Sequence, residues 1–192
     1  NRREDVWCER VYSPWHDLDK VMREQQIPLF ALESQDPIKD FDFLGITIQF
    51  EMCYTNILQI LDLSQIPLHA KDRTLDDPFV IGGGPCTYNP EPIAEFFDIF
   101  YIGEGETAYD ELLDAYKEWK GSGKSRREFL ERAAQIEGLY VPLFYVEPFC
   151  GLAGRGYTTC AVSMESVAYF LFFLVCFACC PFFSNSIEGE NY

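Results

Sequence analysis

Positive charge is scarce in this sequence relative to negative charge, and histidine is nearly absent. Fifteen Lys and Arg stand against 31 Asp and Glu over 192 residues, a formal net charge of −16. A surface so short of cations does not neutralise a phosphate backbone, which argues against a nucleic-acid binder. Only two histidines occur, His16 and His69. Neither stands at ligand spacing from a Cys, a Glu or the other, so the sequence offers no metal site. His16, beside Asp17, reads as a surface or capping residue, and His69 falls in a polar loop after Pro67. No nucleophile elbow is present, and no residue is assigned a catalytic role. No Lys follows a Gly-rich turn at a strand end, as a P-loop requires, and no G-x-G-x-x-G opens a helix. No repeat at a solenoid period is visible. The first residues carry neither a start Met nor a secretory leader pattern and read as mid-domain sequence, that is, as a fragment.

The eight cysteines divide unevenly. Cys8, Cys53 and Cys86 are scattered singly, as buried thiols of a reducing cytoplasm would be, rather than spaced as a disulfide framework. The other five fall after Pro148, where the composition breaks. From Phe149 to Tyr192 the only charged residues are Arg155, Glu165, Glu188 and Glu190, and Val167 to Phe183 is apolar throughout. That run is short for a membrane span, is interrupted by Pro181 and lacks basic flanks. It lacks the polar stripe of a globular helix as well. The expectation is therefore a domain over 1–148 and an unrelated tail over 149–192, a frameshift or read-through product, with a marginal membrane segment at 167–183 as the alternative. Cys176 and Cys179 form a CxxC without the βαβ context that redox chemistry needs.

Within 1–148, strand and helix patterns alternate, which predicts a doubly wound α/β domain with a parallel sheet. Strands are expected at Val6–Tyr12, Phe43–Phe50, Pro78–Ile81, Ile99–Ile102 and Leu139–Val146, with a further extended run over Ile27–Leu32. Helices are expected at Asp17–Gln26, Thr55–Leu63, Thr107–Trp119 and Ser125–Gln135, with one or two helical turns at Pro92–Phe97. Ser125 and Glu128 have the spacing of a capping box.

Ligands of open parallel sheets bind beyond the carboxyl ends of the strands. Three loops leave such ends: Glu51–Asn56, Gly82–Cys86 and Gly103–Thr107. Glycines there permit positive φ and close approach to a ligand. Glu104 and Glu106 fall at the start of a helix and take up the positive end of its dipole, so a phosphate-dominated ligand is disfavoured. A neutral, polar cofactor remains. Trp7, Trp15, Tyr54, Tyr88 and Trp119 read as core and rim packing rather than as a stacking platform.

Three strings, IPLFALES, FLGITIQFEMCYTNILQILDLSQIPLHA and PFVIGGGPCTYNPEPIAEFFDIFYIGEGE, together resemble the radical S-adenosylmethionine proteins that carry an N-terminal cobalamin-binding-type domain. The resemblance covers about residues 1–148. It implies a flavodoxin-like doubly wound fold and a cobalamin held along the strand ends, facing the radical domain of the parent chain. The residues it carries over as cofactor contacts are Gln49, Glu51, Tyr54, Thr55, Gly82, Gly83, Gly84, Pro85, Gly103, Glu104, Gly105, Glu106 and Thr107. Three departures from the family pattern stand out. No C-x-x-x-C-x-x-C is present, so the iron–sulfur cluster and S-adenosylmethionine belong to a downstream domain and this chain alone is not expected to be catalytic. The Asp-x-His-x-x-Gly motif that supplies a lower cobalt ligand in other cobalamin proteins is absent, with Pro14 and Pro67 standing two before the histidines. The family domain also begins with a further strand–loop–helix unit, so an N-terminally truncated sheet with a gap at its centre is expected. The alternatives are a scaffold or docking domain that binds nothing and, last, a flavin- or nucleotide-binding flavodoxin-like domain.

Overall fold

The computed structural model describes residues 3–103, 105–145 and 174–179, apart from the side chains of 105–107 and 174–179. The chain runs β1 (Val6–Val11), α1 (His16–Gln25), β2 (Phe43–Thr47), α2 (Tyr54–Leu63), β3 (Phe79–Gly83), β4 (Ile99–Tyr101), α3 (Gly105–Trp119), α4 (Arg126–Ala133), β5 (Leu139–Tyr140) and β6 (Leu174–Cys179). The six strands form one sheet in the order β1-β6-β2-β3-β4-β5.

β2, β3 and β4 are parallel neighbours, and β5 closes the far edge antiparallel to β4. β1 and β2 each pair antiparallel with β6, which makes them parallel to one another. The strands alternate strictly between two buried faces. Leu44, Ile46, Val80 and Phe100 enter one apolar cluster with Met22 of α1 and Ile57, Ile60 and Leu61 of α2. Phe43, Phe79, Ile81, Ile99 and Tyr101 enter the other with Leu112, Leu113 and Tyr116 of α3 and Phe129 and Leu130 of α4. Period-two alternation with both faces covered is what a doubly wound sheet requires, and it explains why these strands read as near-continuous apolar runs. The fold is the flavodoxin-like α/β architecture expected from the sequence.

Local chemistry sets the element ends. α1 stops at Gln26, which is left-handed (φ 55°) and whose N–H returns to the last helical turn. α4 starts on the full capping box: Ser125 accepts from the Glu128 N–H, and the Glu128 carboxylate accepts from the Ser125 N–H. Two expected strands are shorter than their patterns. β2 ends at Thr47 rather than Phe50, because Ile48 turns its N–H to Gly83 O (2.7 Å) and its carbonyl to the Cys86 N–H (3.1 Å). β5 keeps two residues of Leu139–Val146, since Pro142 opens a 3-10 turn over Pro142–Phe144. The Glu91–Phe96 segment is likewise a 3-10 turn. Cys8, Cys53 and Cys86 are free thiols as expected, but half-buried rather than buried.

The gap expected at the centre of the sheet coincides with the place of β6. Leu174–Cys179 comes from the stretch that the sequence sets apart from the domain, yet its backbone pairs over six residues with β1 and over three with β2. Two parallel strands one strand-width apart each present a row of unsatisfied N–H and C=O groups, and an extended segment between them satisfies both. The rest of 149–192, and with it most of the 167–183 run, lies outside the described residues. Among the described residues no helix is long and apolar enough to cross a membrane.

Candidate functional site

The carboxyl ends of β2, β3 and β4 deliver three loops to one edge of the sheet, and specific bonds tie them together. The first loop passes through Ile48 and Gln49 into a 3-10 turn, Glu51–Cys53, that feeds α2 directly. The second bends at Gly84, where φ is +98°. A Cβ there would stand 2.9 Å from the Ile48 carbonyl oxygen and 3.2 Å from its nitrogen, so only glycine fits. Pro85 then opens a 3-10 turn, Pro85–Tyr88. Within it the Thr87 hydroxyl lies 2.7 Å from Gly84 O and 3.1 Å from Tyr101 O, joining the second loop to the end of β4. The third loop leaves β4 through Ile102, whose N–H is held by Gly138 O (2.7 Å), turns at Gly103 (φ +132°) and enters α3 at Gly105.

The glycines of the second loop do three different things. Gly82 is a packing position: a Cβ would fall 2.6 Å from the Phe100 ring and 3.1 Å from that of Phe97. Gly83 has open space where a Cβ would stand, and Gly84 makes the turn. Of the expected contacts, Gln49, Glu51, Tyr54, Thr55, Gly83, Gly84, Pro85 and Gly103 share this edge, whereas Gly82 is buried beneath Phe100. Gly105, Glu106 and Thr107 form the first turn of α3, and Glu104 lies outside the described residues.

The electrostatics of the edge are acidic to neutral. No Lys or Arg occurs in 47–56, 82–88 or 102–107. Burial pushes the Cys86 thiol up, reinforced by the Glu51 carboxylate and the Cys53 thiol. Burial likewise raises the Tyr54 hydroxyl, with Cys86 and Glu51 adding to it. The first two loops are therefore close enough to feel one another's charge. Gln49 keeps a buried side-chain Nε2 with no hydrogen-bond partner among the described residues. A buried amide donor left unpaired is costly, on the order of 1–3 kcal/mol, and an acceptor brought by a ligand would relieve it.

Sequence reasoning missed two features here. Ile48 and Thr87, the clamps between loops, look like ordinary core and turn residues until their partners are seen. The same edge also carries exposed apolar side chains: Phe50, Met52 (84% exposed) and Tyr88 (60%). Their signal was in the strings FEM and CTY, where apolar residues continue past the strand ends.

A family profile described as radical SAM proteins, N-terminal, matches residues 1–142. The chain belongs to that family. It is also 39% identical over 104 residues to the uncharacterized protein MJ0966 of Methanocaldococcus jannaschii, a match that covers 53% of this chain and 21% of the relative. The chain thus spans about a fifth of the length of that relative. No solved structure matches. The family match ends before β6, so the strand between β1 and β2 comes from outside it.

Proposed function

We propose that this chain is the cobalamin-binding-type N-terminal domain of a radical S-adenosylmethionine enzyme, whose cluster and S-adenosylmethionine reside in a domain further along the parent chain. The observation that carries the reading is the strand-end edge itself: three interlocked loops, an orphaned Gln49 amide donor and no cation. A corrin rim bristles with neutral amides, which both donate and accept. Gln49 Nε2 suits an amide oxygen of the ligand, and the Glu51 carboxylate suits an amide N–H. Gly83 and Gly84 leave room for the ring to approach the backbone, with Pro85 fixing the turn behind them. Tyr54, Thr55, Gly103 and the opening of α3 (Gly105, Glu106, Thr107, with Glu104 before it) complete the contact set. Gly82 supports the set from beneath, through its packing on Phe100. These loops hold no histidine, so cobalt would take no imidazole from them. Cobalamin, when bound, would supply cobalt-centred transfer chemistry to the radical domain.

Titration of the chain and of a longer parent chain with hydroxocobalamin tests this. A shift in the corrin absorbance with protection of the Gly82–Gly84 amides from exchange is expected. Neither change, in either protein, would sink it.

A docking scaffold without cofactor is the second reading, favoured by the exposed Phe50, Met52 and Tyr88 on the same edge. It predicts burial of these three side chains in the parent chain in the absence of any corrin.

A further inference from the structure

At the opposite end of the sheet, where β3 and β4 begin, lies a cavity of about 470 Å³. It is built from four segments distant in sequence: residues 69–73, 91–98, 126–130 and 140–145. Nothing in the strand-end reading uses it, and its volume is that of a small-molecule site.

Its charge departs from the rest of the chain. Acids outnumber bases two to one overall, yet the wall carries Lys71, Arg73, Arg126 and Arg127 against Glu91, Glu95 and Asp98. Two of the three acids are hydrogen-bonded. Asp98 takes Arg73 at 2.7 Å and Arg126 at 3.0 Å. Glu91 accepts the Tyr140 hydroxyl at 2.6 Å, and Glu95 lies 3.2 Å from His69 Nδ1 without a hydrogen bond to it. The bases are not all engaged. Lys71 is exposed and has no ion pair or hydrogen bond among the described residues. Arg126 keeps a buried Nε donor without a partner among the described residues, although its other nitrogens bond to the carbonyls of Thr74, Asp77 and Pro78. Two cationic donors of the wall, Lys71 Nζ and Arg126 Nε, are thus left without partners among the described residues.

The rest of the lining is flat and apolar. Tyr140 and Tyr145 have ring centroids 4.7 Å apart, and Tyr145 and Leu143 remain 59% and 48% exposed over the cavity mouth. Leu130 and Pro142 continue this surface. Such exposed rings are favourable contacts for a planar ligand.

We propose that this cavity is a second ligand site, taking a small anion with a flat apolar body, of the aromatic-carboxylate class. The carboxylate sits toward Lys71 and the Arg126 Nε, and the apolar body lies along Tyr140, Leu143 and Tyr145. The site is independent of the strand-end edge.

The test uses the full chain, with 2-naphthoate as probe and the neutral 2-naphthamide as its uncharged counterpart, followed by NMR. Expected are saturable shifts of the Tyr140, Leu143 and Tyr145 resonances with naphthoate, and weaker binding of naphthamide. Lys71→Glu, at an exposed and unpaired position, should keep the fold and weaken naphthoate by about fivefold, the effect of one exposed charge pair. Tyr145→Ala should weaken both probes. Shifts absent at millimolar probe, equal binding of the two probes, or an unchanged affinity in folded Lys71→Glu would each overturn the proposal. Hydroxocobalamin binding by Lys71→Glu should match the parent chain, so a failure of the cobalamin reading and a failure of this one register separately.

Discussion

Asp98 and Arg73 form an ion pair 2.7 Å long in which neither side chain is more than 1% exposed. The same Asp98 Oδ2 also accepts from Arg126 at 3.0 Å and from the Val80 N–H at 2.8 Å. Arg73 in turn donates to the carbonyls of Pro67, Leu68 and Phe96. Burial lowers the Arg73 guanidinium from its ordinary value, and Asp98 is what opposes that. Removing the carboxylate would strand two cations. Asp98→Ala should destabilise the domain by about 3–5 kcal/mol, the range for breaking a buried pair from one side. Urea unfolding of the two proteins measures it. An effect below 1 kcal/mol would mean that the network carries no such weight.

Gly84 and Gly83 are adjacent but should respond oppositely to a methyl group. Gly84→Ala places Cβ 2.9 Å from Ile48 O at a φ of +98°, and should cost about 1–3 kcal/mol. Gly83→Ala meets nothing within 4 Å and should leave stability within about 0.5 kcal/mol. If the cobalamin reading is right, Gly83→Ala nonetheless weakens hydroxocobalamin binding. Melting curves and absorbance titrations of the two variants separate these effects.

Thr87→Val tests the link between loops. The change deletes the hydroxyl that lies between Gly84 O and Tyr101 O and keeps the shape. The expected loss is about 1–3 kcal/mol, with faster exchange confined to the amides of residues 84–89 and 101–103. Exchange that is unaltered there, or altered throughout the protein, would count against the link.

Acid should weaken the fold through Asp77. Burial opposes its ionisation, but the Thr74 N–H, the Thr74 hydroxyl and Lys39 together outweigh burial and hold the carboxyl below its ordinary value. A carboxylate depressed in the folded state contributes stability above its unfolded pKa of about 4, and that contribution is lost as pH falls through the lower, folded value. Asp77→Asn should therefore be less stable than the parent at pH 7 and closer to it below about pH 3. Denaturant midpoints against pH for the two proteins decide this, and parallel curves would refute it.

Much of the architecture is written in local pattern. Alternation along Phe43–Ile48 and Phe79–Ile81 assigns each residue to a face, and Ser125 with Glu128 marks a helix start whatever surrounds it. What depends on distant partners is not. The end of β2 is decided by Gly83 and Cys86, more than thirty residues on, so the apolar run to Phe50 overstates the strand. The candidate edge was legible because glycines at strand ends announce it. Gly82 looked identical to its neighbours only because the Phe100 ring that fills its place comes from another strand. The cavity at the amino ends had no sequence signal at all, since its wall is assembled from four separated segments and carries no motif.

The placement of β6 has a consequence for synthesis. Its six residues bond to β1 across almost the entire chain, Val6 to Cys179. Contacts so far apart in sequence form late, because the loop they close must first be ordered. In synthesis β1 to β5 precede residues 174–179, so the pairs that β6 makes with β1 and β2 are the last of the sheet to form. A strand edge that waits for its partner is open to other nascent chains, the exposure that chaperones and charged flanks exist to manage.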